Sequence, residues 1–210
     1  MKKILFCSLL IYLMPEIKAQ QKKQPESISF YAGKTFSSFM YKDKNGNKDN
    51  NLNYTSGNTY GLSAGFNFGK KHMIRPEIVY TELGASSEFL SAPINWKLKY
   101  IGLSAGYLFK ALNKKNISLS PGLIIGYDYL LRGAQLNGNT QYNLKQDNIL
   151  KTWDINTGLI LNNQINVTKT LDFIFEYRFN IGLNQIENQD KGEQTKNISH
   201  RVLAGVSFKL

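Results

Sequence analysis

Eight charged residues share one kind of place in this chain. Arg75, Glu77, Asp128, Asp154, Asp172, Glu176, Arg178 and Arg201 each stand in a stretch of alternating apolar and polar residues, on the polar parity. Carboxylates and guanidiniums so placed can perform acid–base chemistry, line a polar path, or neutralise one another. Acid–base work needs two carboxylates whose surroundings push their titrations apart. Asp172 and Glu176 are four residues apart along one stretch, and the nearer neighbours expected for Glu176 are arginines. Nucleophilic chemistry needs a base beside a hydroxyl or thiol. The two histidines, His72 and His200, begin different stretches at opposite ends of the expected fold, and His200 reads as a surface histidine. No metal-ligand spacing, phosphate loop or nucleotide fingerprint occurs, so no cofactor and no enzymatic role are expected. Mutual neutralisation remains as the main reading, because charges held in a narrow interior must be paired. An Arg178–Glu176–Arg201 cluster is geometrically reasonable, with Arg75 and Glu77 as further candidate partners of Glu176 and Arg178, and a path or gate for small solutes is the alternative.

These residues need elements that aim them one way. In 171–184 the odd positions are Leu171, Phe173, Phe175, Tyr177, Phe179, Ile181 and Leu183, and the even ones include Asp172, Glu176, Arg178, Asn180 and Asn184. Successive strand side chains point to opposite faces, so this strand has one greasy and one charged face. Seven further stretches behave alike, giving strands over 28–41, 58–68, 72–83, 96–109, 117–131, 152–166, 171–184 and 197–210. Connections 69–71, 110–116 and 167–170 are short; 42–57, 84–95, 132–151 and 185–196 are long and polar, with little to bury. An even strand count with alternating short turns and long loops predicts an all-β, eight-stranded antiparallel up-and-down transmembrane β-barrel over 28–210. Its greasy face would meet lipid, and Trp96, Phe109, Tyr127, Tyr129, Trp153 and Phe208 near strand ends would form interface girdles. Lys34 breaks the pattern in the first strand, on the otherwise apolar face; snorkelling or a bulge would accommodate it. A soluble lipocalin-like barrel, greasy face inward around a ligand, is the architectural rival.

The N-terminus supplies a compartment. Lys2 and Lys3 precede an apolar run over 4–14, with Ala19 at a plausible cleavage point, which reads as a secretory signal peptide over 1–19. A short periplasmic segment, 20–27, would follow. Cys7 lies in the apolar run and is the single cysteine, so the exported chain would have no disulfide. Removing 1–19 leaves a net charge near +9. Nucleic acid is excluded as a partner by export and by the absence of a recognition motif. Lys70, Lys71, Lys110, Lys114, Lys115 and Lys169 gather instead in short connections, where lipid phosphates would be in reach.

The run Ile74-Arg75-Pro76-Glu77-Ile78-Val79-Tyr80-Thr81-Glu82-Leu83-Gly84 resembles the third-strand signature of the PorT-like outer-membrane β-barrel family of Bacteroidetes. Ser120–Tyr127, Glu176–Leu183 and Arg201–Leu210 resemble later parts of that family, so the likeness covers nearly the whole exported chain. The chain departs from the family at Tyr100-Ile101-Gly102-Leu103-Ser104, where Glu-Ile-Pro is usual after the tyrosine, and in its final Leu210, where phenylalanine is commoner. The resemblance implies an outer-membrane barrel without catalytic residues, surrounded by outer-membrane lipids and lipopolysaccharide. It also implies insertion by the barrel-assembly machinery, and envelope proteins as partners, with a part in protein secretion among the roles it admits.

Overall fold

The computed structural model describes residues 24–48, 51–89, 92–138, 140–188 and 192–210. The expected signal peptide and residues 20–23 of the segment 20–27 lie outside the described residues. Ten strands form: β1 (Ser27–Lys42), β2 (Asn53–Phe68), β3 (His72–Phe89), β4 (Ala92–Phe109), β5 (Leu112–Asn113), β6 (Ile117–Asn137), β7 (Thr140–Asn143), β8 (Trp153–Asn166), β9 (Leu171–Gly182) and β10 (Gln194–Lys209). Eight of them close a ring. Each long strand pairs antiparallel with the next long one, and β1 pairs with β10 from Ser27↔Lys209 to Lys42↔Gln194. The short β5 and β7 are additions to the two ends of β6. The eight-stranded antiparallel up-and-down transmembrane barrel expected from the residue pattern is the fold observed.

Polarity across the wall is the reverse of a soluble protein's. Along β9, Asp172, Glu176, Arg178 and Asn180 are buried, while Phe173, Phe175 and Tyr177 are exposed. The other walls repeat this, with Phe30, Leu62, Ile78, Leu103, Leu123, Ile125, Leu159 and Val202 exposed. A soluble surface does not tolerate a contiguous apolar belt of this extent, whereas hydrocarbon requires one. The lipocalin-like alternative is overturned: Arg178 is 0% exposed and Phe175 is 52% exposed, so the greasy face points out.

Several strands run beyond the alternating stretches. The β3–β4 ladder is continuous from His72↔Phe109 to Phe89↔Ala92, so 84–95 is mostly hairpin rather than a long loop. Gly84, Ala85, Ser86 and Ser87 carry little apolar signal, and the extension rests on backbone pairing with Ala85 buried and Ser37 Oγ bonded to Gly84. In the same way β6 takes in residues 132–137 and β7 adds 140–143, while β2 begins at Asn53 and β10 at Gln194. The extension turns Trp96 inward, half-buried against Phe39 with ring centroids 5.9 Å apart, so it does not belong to a lipid-facing girdle. Phe109, Tyr127, Tyr129, Trp153 and Phe208 do face outward. Lys34 needs no bulge: the β1–β2 register is regular through Lys34↔Asn58, and Nζ donates to Asn58 Oδ1 at 2.8 Å.

Close packing inside the ring depends on missing side chains. Gly61 faces Tyr31 across the β1–β2 ladder, and a Cβ there would lie 2.2 Å from the Tyr31 ring. Gly61→Ala should therefore displace Tyr31 and destabilise the barrel by about 1–3 kcal/mol, as overpacking does. Urea unfolding from lipid vesicles measures it. Gly69→Ala meets nothing within 4 Å and bears only the strain of a φ of 66°, so it should cost less.

Candidate functional site

The interior side chains of β3 and β9 meet across the middle of the barrel. These strands stand half a ring apart, with three strands between them on either side. Both run from the turn end to the loop end, and each presents two charges spaced i, i+2 on the inner face. Arg75-x-Glu77 on β3 faces Glu176-x-Arg178 on β9, so opposite signs stand level with one another. Arg75 Nη1 and Nη2 donate to Glu176 Oε2 and Oε1 at 2.7 and 2.9 Å. Arg178 Nη1 and Nη2 donate to Glu77 Oε1 and Oε2 at 2.6 and 2.9 Å. Two bidentate forks thus span the lumen, the geometry in which a planar guanidinium binds a carboxylate best. Arg178 Nε also donates to Glu176, and Arg75 lies 3.6 Å from Glu77.

The remaining capacity of the carboxylates is taken by neutral neighbours. Glu77 accepts from the Tyr31 hydroxyl at 2.8 Å and from Ser104 Oγ at 3.0 Å. Glu176 accepts from Asn162 Nδ2 at 2.7 Å. The Arg178 guanidinium lies 4.8 Å from the Tyr31 ring centroid, a cation–π contact that holds its outer face. All four charged residues are buried, and their mutual pairing, which leaves Arg75 Nε as an unpartnered donor, is what makes their burial tolerable.

The other four predicted residues are inside the barrel but do not join this group. Arg201 is paired in register with Arg178 and makes no ion pair among the described residues, so the expected Arg178–Glu176–Arg201 cluster is corrected to Arg75–Glu176–Arg178–Glu77. Cross-lumen geometry, not strand adjacency, chooses the partners. Asp172 sits at the turn end, 2.7 Å from Lys209 Nζ. Asp128 and Asp154 face each other across the β6–β8 ladder. Asp128 Oδ2 accepts from Asn156 Nδ2 at 2.9 Å, and Asp154 Oδ2 from Asn197 Nδ2 at 2.7 Å. Asp154 Oδ1 has no hydrogen-bond partner. With Asp172 given to Lys209, four interior carboxylates thus stand against three arginines.

Apolar layers lie on both sides of the charges. Toward the turn end, Met73, Leu108, Ile124 and Ile160 pack together. At the loop end, Leu83, Leu98, Tyr100 and Leu130 of the wall are covered by Leu144, Leu150 and Ile186 of the connections. The polar connections therefore do have something to bury. They are tied down by an isolated bridge between Leu150 and Glu187 and by Asn188 Nδ2, which donates to Leu150 O at 3.0 Å. The residue pattern missed this cap, and Leu144, the Ile149-Leu150 pair and Ile186 in polar surroundings were its only signal.

This barrel resembles known ones. It superposes on a major outer membrane protein from Thermus thermophilus with a TM-score of 0.50, at 9% identity over 87% of this chain and 99% of that one. By fold, it is an outer-membrane type of β-barrel. Neisserial surface protein A is also similar (TM-score 0.47, 18% identity, 86% of this chain and 97% of that chain). So is Ail, the attachment invasion locus protein of Yersinia pestis (TM-score 0.44, 16% identity, 88% and 100%). At these identities the likeness concerns the fold alone. No family model and no curated protein matches the chain.

Neither histidine stands beside a hydroxyl of the serine type. His200 Nδ1 lies 2.7 Å from the Tyr177 hydroxyl, with Tyr54 and Phe179 against its ring. His72 Nδ1 lies 2.7 Å from the Tyr107 hydroxyl at the turn end. Both face outward, where a tyrosine–histidine pair satisfies polar atoms at an interface.

Removing one member of the cross-lumen group leaves a buried charge alone. Arg178→Ala should lower stability by about 3–5 kcal/mol, less if water fills the gap. Phe175→Arg on the outer wall should cost about 2–4 kcal/mol through exposure of a charge to hydrocarbon. Urea unfolding from vesicles reads both, and a harmless Phe175→Arg would mean that this face does not meet lipid. Asp154→Asn removes one of two facing carboxylates and keeps the acceptor for Asn197, so the same assay should show an unchanged or higher midpoint.

Proposed function

We propose that this protein is a non-enzymatic outer-membrane barrel whose lumen is closed and whose work is done by its outer wall and loop end. The observation that carries this reading is the pair of Arg–Glu forks joining β3 to β9 through the barrel centre, between apolar layers above and below. An eight-stranded barrel is only wide enough for packed side chains, and here they are packed and cross-linked. What such a body can offer is surface: a lipid-facing belt and a capped loop end for surface interaction, envelope integrity or assembly with other envelope proteins. Export by residues 1–19, with cleavage near Ala19, and insertion by the barrel-assembly machinery belong to the same reading. So does the resemblance to the PorT-like family, which would add a part in secretion; a fold of this kind hosts many jobs, and the resemblance alone chooses none.

Planar-bilayer recording tests the closed lumen. The expected result is no steady ion current from the folded protein. A stable open conductance would overturn the reading in favour of a small-solute channel through the half of the lumen that holds Asp128, Asp154 and Arg201. Detergent extraction from outer-membrane fractions with heat-modifiable gel migration is the expected companion result. Release of the exported chain as a water-soluble protein would sink the membrane placement.

A further inference from the structure

The outer wall changes from apolar to cationic on β4 and β6. Apolar residues hold the outward positions of β6 from Ile117 to Leu131, and Arg132 follows. Opposite Arg132 on β4 is Lys99, and the register shifts between Lys99 and Tyr100. This bulge sets Leu131 and Arg132 beside each other on the exterior, both exposed. Lys97 is the next outward residue of β4 and is exposed as well. Lys145 reaches in from the connection after β7, its Nζ 3.4 Å from Leu131 O and 4.7 Å from the Tyr129 ring centroid. Among the described residues one acid pairs with these four cations: Glu82 Oε1 lies 3.2 Å from Lys99 Nζ, and Glu82 also accepts from Asn58 and Tyr80.

Like charges opposite one another on neighbouring strands weaken a sheet. Gathering further lysines around such a pair is unfavourable unless an anion is shared among them. A guanidinium fork and mobile ammonium groups together suit a phosphate. Directly below the cations lie Ile101, Leu103, Tyr129 and Leu131, all exposed. Resting on the membrane reading above, we propose that Lys97, Lys99, Arg132 and Lys145 bind the phosphate of an anionic lipid at the loop-end interface, with its acyl chains along this apolar stripe. The stripe is what selects a lipid over a free anion.

The test uses the folded full barrel in detergent micelles and reads the midpoint of heat-modifiable migration. Micelles are doped with bis-phosphorylated lipid A or with the same lipid stripped of phosphate, and a third sample receives inorganic phosphate alone. The midpoint should rise with the phosphorylated lipid only. Lys97→Ala/Arg132→Ala/Lys145→Ala should not lower the undoped midpoint, since it removes surface charges of one sign, and should lose the rise. Lys196→Ala, a loop-end cation on β10 whose ammonium donates to Leu183 O and which β8 and β9 separate from β6, should retain it. Equal midpoints with the two lipids, a rise that survives the triple substitution, or an equal rise with inorganic phosphate would each overturn the site. A barrel that stays folded and soluble without detergent would instead overturn the membrane reading beneath it.

Discussion

Everything inside this barrel is arranged around the two forks that tie β3 to β9 through its centre. Their partners are 101 residues apart in sequence and opposite one another in the ring. Buried ion pairs add little net stability, because desolvation offsets most of their attraction. Their effect here is on uniqueness. A slip of one residue in either strand would turn the charges into lipid. A slip of two would set Arg75 level with Arg178, or Glu77 level with Glu176. The pairing therefore admits one relative height for two strands that never touch through their backbones.

The rest of the interior follows from the same scarcity of water. Tyr31, Ser104 and Asn162 supply the donors that the carboxylates still require, and Gly61 gives up its side chain so that the Tyr31 ring can lie there. Small hydroxyl residues such as Ser29, Thr35, Thr59, Thr81 and Ser207 fill the narrower layers and bond one another across strands, as Ser29 does with Ser207 at 2.9 Å. The loop-end cap then shields this polar column from the aqueous side, using Leu144, Leu150 and Ile186 of the connections.

Much of this was legible from parity. The alternation in 171–184 named the inward face of β9, and all eight interior charges do point inward. Complementarity was visible too, since Arg75-x-Glu77 and Glu176-x-Arg178 are mirror patterns. What could not be read was which inward charge stands across from which. Adjacency suggested Arg201 for Glu176, yet register places Arg201 beside Arg178, and the lumen offers Glu176 a partner from the far wall. Strand ends were hidden for a different reason. Beyond Glu82 neither face of the β3–β4 hairpin has lipid to satisfy, so alternation fades while backbone pairing continues to Phe89 and Ala92. The cap depended on Leu144, Leu150 and Ile186, whose burial arises from tertiary folding that no local pattern records.

The apolar belt is not the same height all round. On β6 it runs from Ile117 to Leu131, and on β3 from Ile74 to Tyr80 before Glu82 interrupts it. At about 3.3 Å per residue these are roughly 46 and 20 Å along the strand. A bilayer of uniform thickness cannot match both. The mismatch is relieved if the barrel leans in the membrane, or if the lipid thins beside β3, at a modest cost per ångström. The molecule would then have a preferred lean and a distinct compressed side, and proteins or lipids sorting by thickness would meet it from that side first.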